Sequence, residues 1–341
     1  MDLAAIAGQA AESGSLLNTF VKGRVLQLDA DFGAYECSWL DKSLQENIIQ
    51  LKKLVETCRL TAGAEFVNVH ITLGMKGGRN QMATVKPYQE QRNKLIDPEK
   101  TARVSALRNF LANYNTDIAT PIANVLQEAD DSLTIMQLER IAEFGLQSSV
   151  IMSGDKDLWM SEGLHCEQKT GDIYEVKGYG KTDWKEVGNV KPKLVGRGTS
   201  WFWHQLLHGD GADNIAGLPK LSGKLLNRYL PTKKINPKRA SQPCGEAKSY
   251  AILKGVTNNR EACKRVREAY IECYREGNAL EMLIEQAFLL WMRRTKKLDD
   301  VLDFLNESGM IAVFSSSQTQ RLEEYKRLAK IQLQESNLSN S

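Results

Sequence analysis

Several signatures are missing from this chain, and each absence removes a class of function. The six cysteines, Cys37, Cys58, Cys166, Cys244, Cys263 and Cys273, contain no C-x-x-C pair, which argues against a thiolate zinc site and a disulfide framework. They read as reduced thiols. There are 4 histidines and no H-E-x-x-H. His204 and His208 are four apart without a third ligand, so a packed or surface role explains them better than zinc. There is no G-x-S-x-G, phosphate-binding Walker loop or dinucleotide fingerprint. No apolar run approaches the roughly 18 residues of a membrane span, the longest candidate being Ala287 to Met292. The first residues carry Asp2 and Glu12 where a secretory leader would carry Lys or Arg, so a soluble, cytoplasmic protein is expected.

What is present is an ordinary globular composition over 341 residues, 42% hydrophobic and 26% charged, with net charge +3. That suffices for one large α/β domain or two smaller ones. The near-neutral total hides segregation. Leu218 to Glu268 holds 13 Lys/Arg against 3 Asp/Glu, and Leu73 to Arg108 holds 8 against 3, leaving 24 basic against 36 acidic residues elsewhere. Two basic patches on an acidic body are the electrostatic footprint of a protein that neutralises nucleic-acid phosphates, although solvated helix faces produce the same counts.

Short β-prone runs at Val25 to Leu28, Phe66 to Ile71 and Val150 to Met152 alternate with helical patterns at Lys42 to Thr61, Asp97 to Tyr114 and Asp130 to Phe144. This β-α-β-α-β order predicts an α/β fold with a mostly parallel sheet flanked by helices. Such sheets carry their sites at the carboxyl ends of the strands. Leu73 to Arg92 reads as a long loop, Met160 to Trp203 as short strands and loops, and Pro231 to Pro243 as a surface linker. Glu261 to Gly277 and Ala279 to Lys297 are the clearest helices, and the polar tail after Glu335 is expected to fray.

Carboxylates recur at those strand ends. Asp29 follows the first strand, with Asp31 just beyond. Glu128-Ala-Asp130-Asp131 opens a helix, where one acid would serve as a cap and three exceed that need. Asp155-Lys-Asp157 follows the strand ending at Met152. Asp210 and Asp213 lie in Gly-Asp-Gly-Ala-Asp-Asn and would share a face if that segment were helical. Taken singly, each has a plain structural explanation in caps and turns. Together, so many carboxylates at one sheet edge would repel by several kcal/mol unless compensated. Oxygen-only ligands point to magnesium, with manganese as a substitute, rather than zinc. Two such ions about 4 Å apart suit phosphodiester hydrolysis.

The ordered series Asp29, Glu128-Ala-Asp-Asp131, Gly154-Asp-Lys-Asp-Leu158 and Gly209-Asp-Gly-Ala-Asp-Asn-Ile-Ala-Gly-Leu-Pro219 resembles the 5′ nuclease family of flap endonucleases and bacteriophage 5′ to 3′ exonucleases. The resemblance runs from about Val25 to Tyr229. The aromatic Trp201-Phe-Trp-His-Gln is most similar to the phage members. It implies a PIN-like nuclease domain over 1–205, with an arch at about 73–108, and a helix-three-turn-helix and C-terminal helical region over 206–341. It also implies that Asp29, Glu128, Asp130, Asp131, Asp155, Asp157, Asp210 and Asp213 surround two Mg2+ ions. Gly217, Leu218, Pro219, Gly223 and Lys224 match the family's duplex-binding turn, which often holds K+. Glycines there let backbone approach phosphate.

Two departures stand out. Where the family has another Asp after its second strand, this chain reads His70-Ile-Thr72-Leu73. Where the arch commonly reads Tyr-Lys-x-x-Arg, this chain reads Tyr88-Gln-Glu-Gln-Arg92. Arg92 fits its place, Lys86 and Lys94 are the alternatives for the missing lysine, and Arg79 and Tyr88 are further DNA contacts on this resemblance. The implied function is a magnesium-dependent 5′ to 3′ exonuclease or 5′ flap endonuclease acting on DNA in phage replication or recombination. The implied protein is a monomer that touches no membrane, with the helices after Glu276 bracing the DNA element or meeting a replication protein. A non-catalytic DNA-binding protein on a nuclease scaffold and a PIN-type ribonuclease are the alternatives.

Overall fold

Val21–Asp29 (β1) and Ala64–Thr72 (β2) run side by side in parallel, with Leu28 opposite Val69 and Asp29 opposite His70. In the computed structural model, which describes residues 18–90, 97–187, 190–221, 223–229, 243–274 and 276–339, these strands lie within a six-stranded sheet. Ala119–Asn124 (β3) flanks β2, while Ser149–Met152 (β4), Gly163–Cys166 (β5) and Ile173–Val176 (β6) extend the sheet beyond β1, giving the order β3-β2-β1-β4-β5-β6. Every pairing is parallel except β5 with β6. The sheet is therefore α/β and mostly parallel, as the alternating pattern predicts.

Alternation along the strands separates two faces. Leu26, Leu28, Val67, Val69, Ile71, Val150 and Met152 join the core formed with Ala30–Glu36 (α1), Leu44–Thr61 (α2) and Pro98–Ala112 (α3). Helix α2 starts in a capping box, Ser43 accepting from the Glu46 amide and Glu46 from the Ser43 amide, and buries Leu51, Val55 and Cys58. Helix α3 begins at Pro98 after the Asp97 cap and buries Leu107 and Leu111 completely. Residues 98–108, assigned to the arch from sequence, thus belong to a core helix. The opposite face meets Ala129–Phe144 (α4) and is polar. Gln27 Oε1 lies 2.9 Å from His70 Nε2, and His70 Nδ1 lies 2.6 Å from Ser132 Oγ. Burial drives the His70 pKa down to about 3, so the ring is neutral.

The backbone divides into two compact units. One ends at Lys76, resumes by Asp97 and runs to Val176; the other comprises Gly77 to Glu90 together with Lys177 onward. This division falls earlier than the boundary at 205 drawn from sequence. The second unit opens with an antiparallel pair, Lys181–Val187 (β7) and Val190–Arg197 (β8). Thr199–His208 (α5) follows and is buried from Thr199 to Leu207, polar residues included. Its Phe202 packs edge-on against Trp291 with centroids 5.0 Å apart, and Trp291 stacks on Phe304 at 4.4 Å.

A two-residue pair, Gly209–Asp210 (β9) with Ile215–Ala216 (β10), precedes Gly223–Tyr229 (α6). The remaining helices are Glu246–Leu253 (α7), Asn259–Tyr274 (α8), Glu276–Leu290 (α9), Asp300–Glu307 (α10) and Ser316–Ser339 (α11). Of the tail expected to fray, residues 336–339 lie within α11. Most of the expected linker, 231–242, lies outside the described residues, as do Arg92 and Lys94. All six cysteines are buried free thiols, and burial holds Cys58, Cys166 and Cys244 up at about 12. No helix among the described residues is long and apolar enough to cross a membrane.

Candidate functional site

The carboxyl ends of β1, β2 and β4 and the amino-terminal turn of α4 bring acidic side chains together in the first unit. Asp29 is the last residue of β1 and caps α1, its Oδ1 accepting from the Phe32 amide at 3.4 Å while its Oδ2 accepts the Ser153 hydroxyl at 2.6 Å. Ser153 Oγ also receives the Asp155 amide at 2.9 Å, so one hydroxyl ties the end of β1 to the turn after β4. Asp155 in turn caps the helical turn Lys156–Met160 by accepting from the Asp157 amide at 2.9 Å. Asp157 is buried, with the Lys156 ammonium 3.7 Å from its carboxylate.

The first turn of α4 supplies Asp130 and Asp131, with Glu128 at the cap position making no capping bond to the helix. Glu128 pairs instead with Lys76 at 3.2 Å. The amide that Glu128 leaves uncapped, that of Ala129, donates to Thr72 Oγ1 at 2.9 Å. The residue at the position where the resemblance calls for a carboxylate is therefore a helix-capping hydroxyl. The Thr72 amide points to the Asp31 carboxylate at 3.2 and 3.3 Å, and Arg108 pairs with Asp31 at 2.9 Å. Asp31 thus brings a carboxylate from α1 to the end of β2.

Electrostatics show how closely these groups are coupled. Burial, opposed by the Ser153 hydrogen bond and helped by the charges of Asp31 and Asp155, raises the Asp29 pKa to about 6. Asp130 is held well above the carboxylate range, first by burial and then by Asp29, Asp155, Glu128 and Asp31. Five carboxylates therefore share one low-dielectric region, and the positive charge seen near them comes from Lys76 and Arg108. An oxygen-only set carrying excess negative charge suits a hard divalent cation. Among the described residues, no three His, Cys, Asp or Glu side chains are grouped so as to hold a metal ion. Asp29, Glu128, Asp130 and Asp155 are the predicted site residues drawn into this network, while Asp131 is fully buried.

In the second unit, Asp210 ends β9 and Asp213 lies in the turn between β9 and β10, rather than on the helix face considered from their spacing. Asp210 is buried and accepts from the Ala212 amide at 2.8 Å and from Gln205 Nε2 at 3.3 Å. Asp213 accepts from the Tyr88 hydroxyl and Gln89 Nε2, both at 3.1 Å, and its carbonyl takes the Gln89 amide at 2.9 Å. Gly209 has φ +79°, and a side chain there or at Gly217 would strike the opposing backbone at 2.3 Å, so glycine is required at both places.

Two of the expected DNA contacts are corrected by burial. Arg79 is 2% exposed, and its guanidinium donates to the Leu289 and Trp291 carbonyls at 3.2 and 2.8 Å, closing the end of α9. Tyr88 is likewise buried, with its hydroxyl on Asp213. In the expected duplex-binding turn Leu218 is core, whereas Pro219 is exposed; Lys86 is exposed as well. Lys76 and Arg108 were absent from the residues expected from sequence, and Asp31, noted beside Asp29, was not among the expected ligands. Asp31 carried a signal, lying two residues beyond Asp29. Lys76 and Arg108 carried none, since their partners are distant in sequence.

No protein-family model matches the chain, and no curated protein matches its sequence. Among solved structures, a bacteriophage T5 5′-exonuclease with bound zinc ions shares 15% identity, covering 90% of this chain and 99% of the other, at a TM-score of 0.48. A bacteriophage T5 flap endonuclease in a pseudo-enzyme-product complex with DNA and metal ions shares 14% over the same proportions, also at 0.48.

Proposed function

We propose that this chain is a divalent-metal-dependent DNA nuclease of the 5′ nuclease type, cutting from 5′ ends or at 5′ flaps in phage-type replication or recombination. The observation that carries this reading is the gathering of Asp29, Asp130 and Asp155 at the ends of β1 and β4 and the first turn of α4, with Ser153 tying Asp29 to the turn of Asp155; a divalent cation would offset the repulsion that, with burial, raises Asp29 and Asp130. Asp29, Glu128, Asp130 and Asp155 are the proposed ligands of two Mg2+ ions, with Asp31 an added candidate. The motif order assigns Asp131, Asp157, Asp210 and Asp213 to the same set, and K+ to the turn that begins at Gly217.

Bound divalent ions would supply an activated water and offset charge on the scissile phosphodiester. The chain's own groups orient the rest. Ser153 holds Asp29 and Asp155 in one geometry. Lys76 and Arg108 neutralise Glu128 and Asp31 while no cation is bound. Lys86, Arg92 and Lys94 are proposed phosphate contacts.

The test is hydrolysis of 5′-labelled blunt, nicked and flapped duplexes with magnesium. Asp155→Ala and Asp210→Ala should each remove cleavage while leaving DNA binding; unchanged rates in both defeat the proposal. A specific observation favours one second reading, a DNA-binding protein without catalysis. Thr72 is committed to capping α4 where the family resemblance calls for a carboxylate. Binding without magnesium-dependent cleavage by the unmodified chain would select it, and faster cleavage of RNA than DNA would select a ribonuclease.

A further inference from the structure

An open apolar groove in the second unit has no part in the nuclease reading. It lies among α8, α9 and the stretch 309–313 that follows α10, and encloses about 490 Å³ lined by Ile271, Leu280, Leu283, Met310 and Ile311, among others. The stretch after α10 is firmly held. The Met310 amide donates to the Leu305 carbonyl at 3.1 Å, and Asn306 binds both the amide and carbonyl of Ala312 at 2.9 and 3.2 Å. Met310 and Ala312 are buried, yet Ile311 is 84% exposed and Val313 64%. Isolated exposed apolar residues are common on protein surfaces. Two on alternate positions of a pinned strand-like segment, bordering an apolar cavity, form a prepared surface.

The charge beside the groove is equally ordered. Arg260, Lys264 and Arg267 lie at i, i+4 and i+7 on α8, all exposed, and the same stripe continues to Ile271 in the groove. Arg267 itself borders the cavity, and the Arg260 stem lies beside Gly309, 3.5 Å from where a side chain there would begin. None of these three cations pairs with an acid among the described residues. Three nearby acids have other partners: Glu261 with Arg265, Glu268 with Arg228, and Glu281 with Ser315 and Ser317.

We propose that this groove docks an extended peptide of a partner protein, in which acidic residues lie along Arg260, Lys264 and Arg267 and a large apolar side chain enters the cavity between Leu283 and Met310. Charge complementarity selects an acidic partner, and the apolar floor separates peptide from DNA, because a phosphate backbone has nothing to place in such a cavity. The inference does not depend on the nuclease reading.

The probe is a fluorescein-labelled hexapeptide of three Asp followed by Ile-Leu-Phe, titrated by anisotropy with the full chain. Saturable binding is expected, weakened at least tenfold in Lys264→Glu/Arg267→Glu and at least fivefold in Ile311→Ser. Replacing the peptide's Phe by Ser, or its Asp by Asn, should give the same losses and leaves the protein untouched. Absence of saturable binding overturns the proposal, as does affinity indifferent to Ile311→Ser and to the Phe replacement. A duplex oligonucleotide that displaces the peptide, and whose own binding falls in the charge variant but not in Ile311→Ser, also overturns it by making the stripe a DNA contact.

Discussion

Asp29→Asn should make the metal-free protein more stable and remove most of the stabilisation that magnesium gives the parent. The folded-state pKa of Asp29 is about 6 against an ordinary value of 3.8. At pH 7.5 its ionised form therefore costs the native state about 3 kcal/mol relative to the unfolded chain. The sign follows from proton uptake: a raised carboxylate binds its proton earlier when folded, so this cost shrinks as pH falls through 6 and is gone below 3.8. Asparagine removes the charge but keeps the helix cap and an oxygen for the Ser153 hydroxyl, so the gain should survive as about 1–3 kcal/mol.

On the proposed function, magnesium should offset most of this gain. A ligand at 100 times its Kd stabilises by about 2.7 kcal/mol, an increment the variant should largely lack. Urea unfolding at pH 7.5, in EDTA and in magnesium, reads both numbers. A variant that unfolds earlier than the parent in EDTA refutes the like-charge argument. Equal magnesium stabilisation in both proteins refutes the assignment of Asp29 as a ligand.

Three further outcomes follow from other parts of the molecule. Burial lowers the His204 pKa to about 3, while the unfolded value is near 6.5, so its contribution to stability is lost as pH falls from 6.5 towards 3; His204→Gln should flatten the pH dependence of unfolding by up to about 1.4 kcal/mol per pH unit in that window, read by denaturation at stepped pH. Leu107→Ala should destabilise by about 2–5 kcal/mol in thermal or urea unfolding, because α3 buries that side chain completely; a change under about 0.5 kcal/mol would mean the helix is not core. Tyr88→Phe should lower stability by about 1 kcal/mol through loss of the Asp213 hydrogen bond and leave duplex affinity within twofold; a large affinity loss at unchanged stability would return Tyr88 to the DNA surface.

Strands β1, β2 and β4 were legible because consecutive β-branched and apolar residues have few other uses, and α2, α3 and α4 because their apolar spacing and caps are local. Strand β3 escaped: Ala119–Asn124 contains Pro121 and is half exposed, which an edge position tolerates and a sequence pattern disguises. Strands β5 and β6 fall within the stretch read as short strands and loops, where frequent glycines and the lack of an apolar run left their bounds undrawn.

The sequence alone determined the acidic and glycine motifs, their order, and the parallel sheet that puts Asp29, the Glu128 to Asp131 group and Asp155 at strand and helix ends. These depend on residue type and short-range spacing, which the chain carries locally. Tertiary structure decided which groups neutralise which. It paired Lys76 with Glu128 and Arg108 with Asp31, turned Thr72 into a helix cap, and buried Arg79 on the carbonyls ending α9. The physical reason is that an ion pair or an unsatisfied helix end is settled by what folding brings within about 3 Å, and those partners lie tens to hundreds of residues apart along the chain.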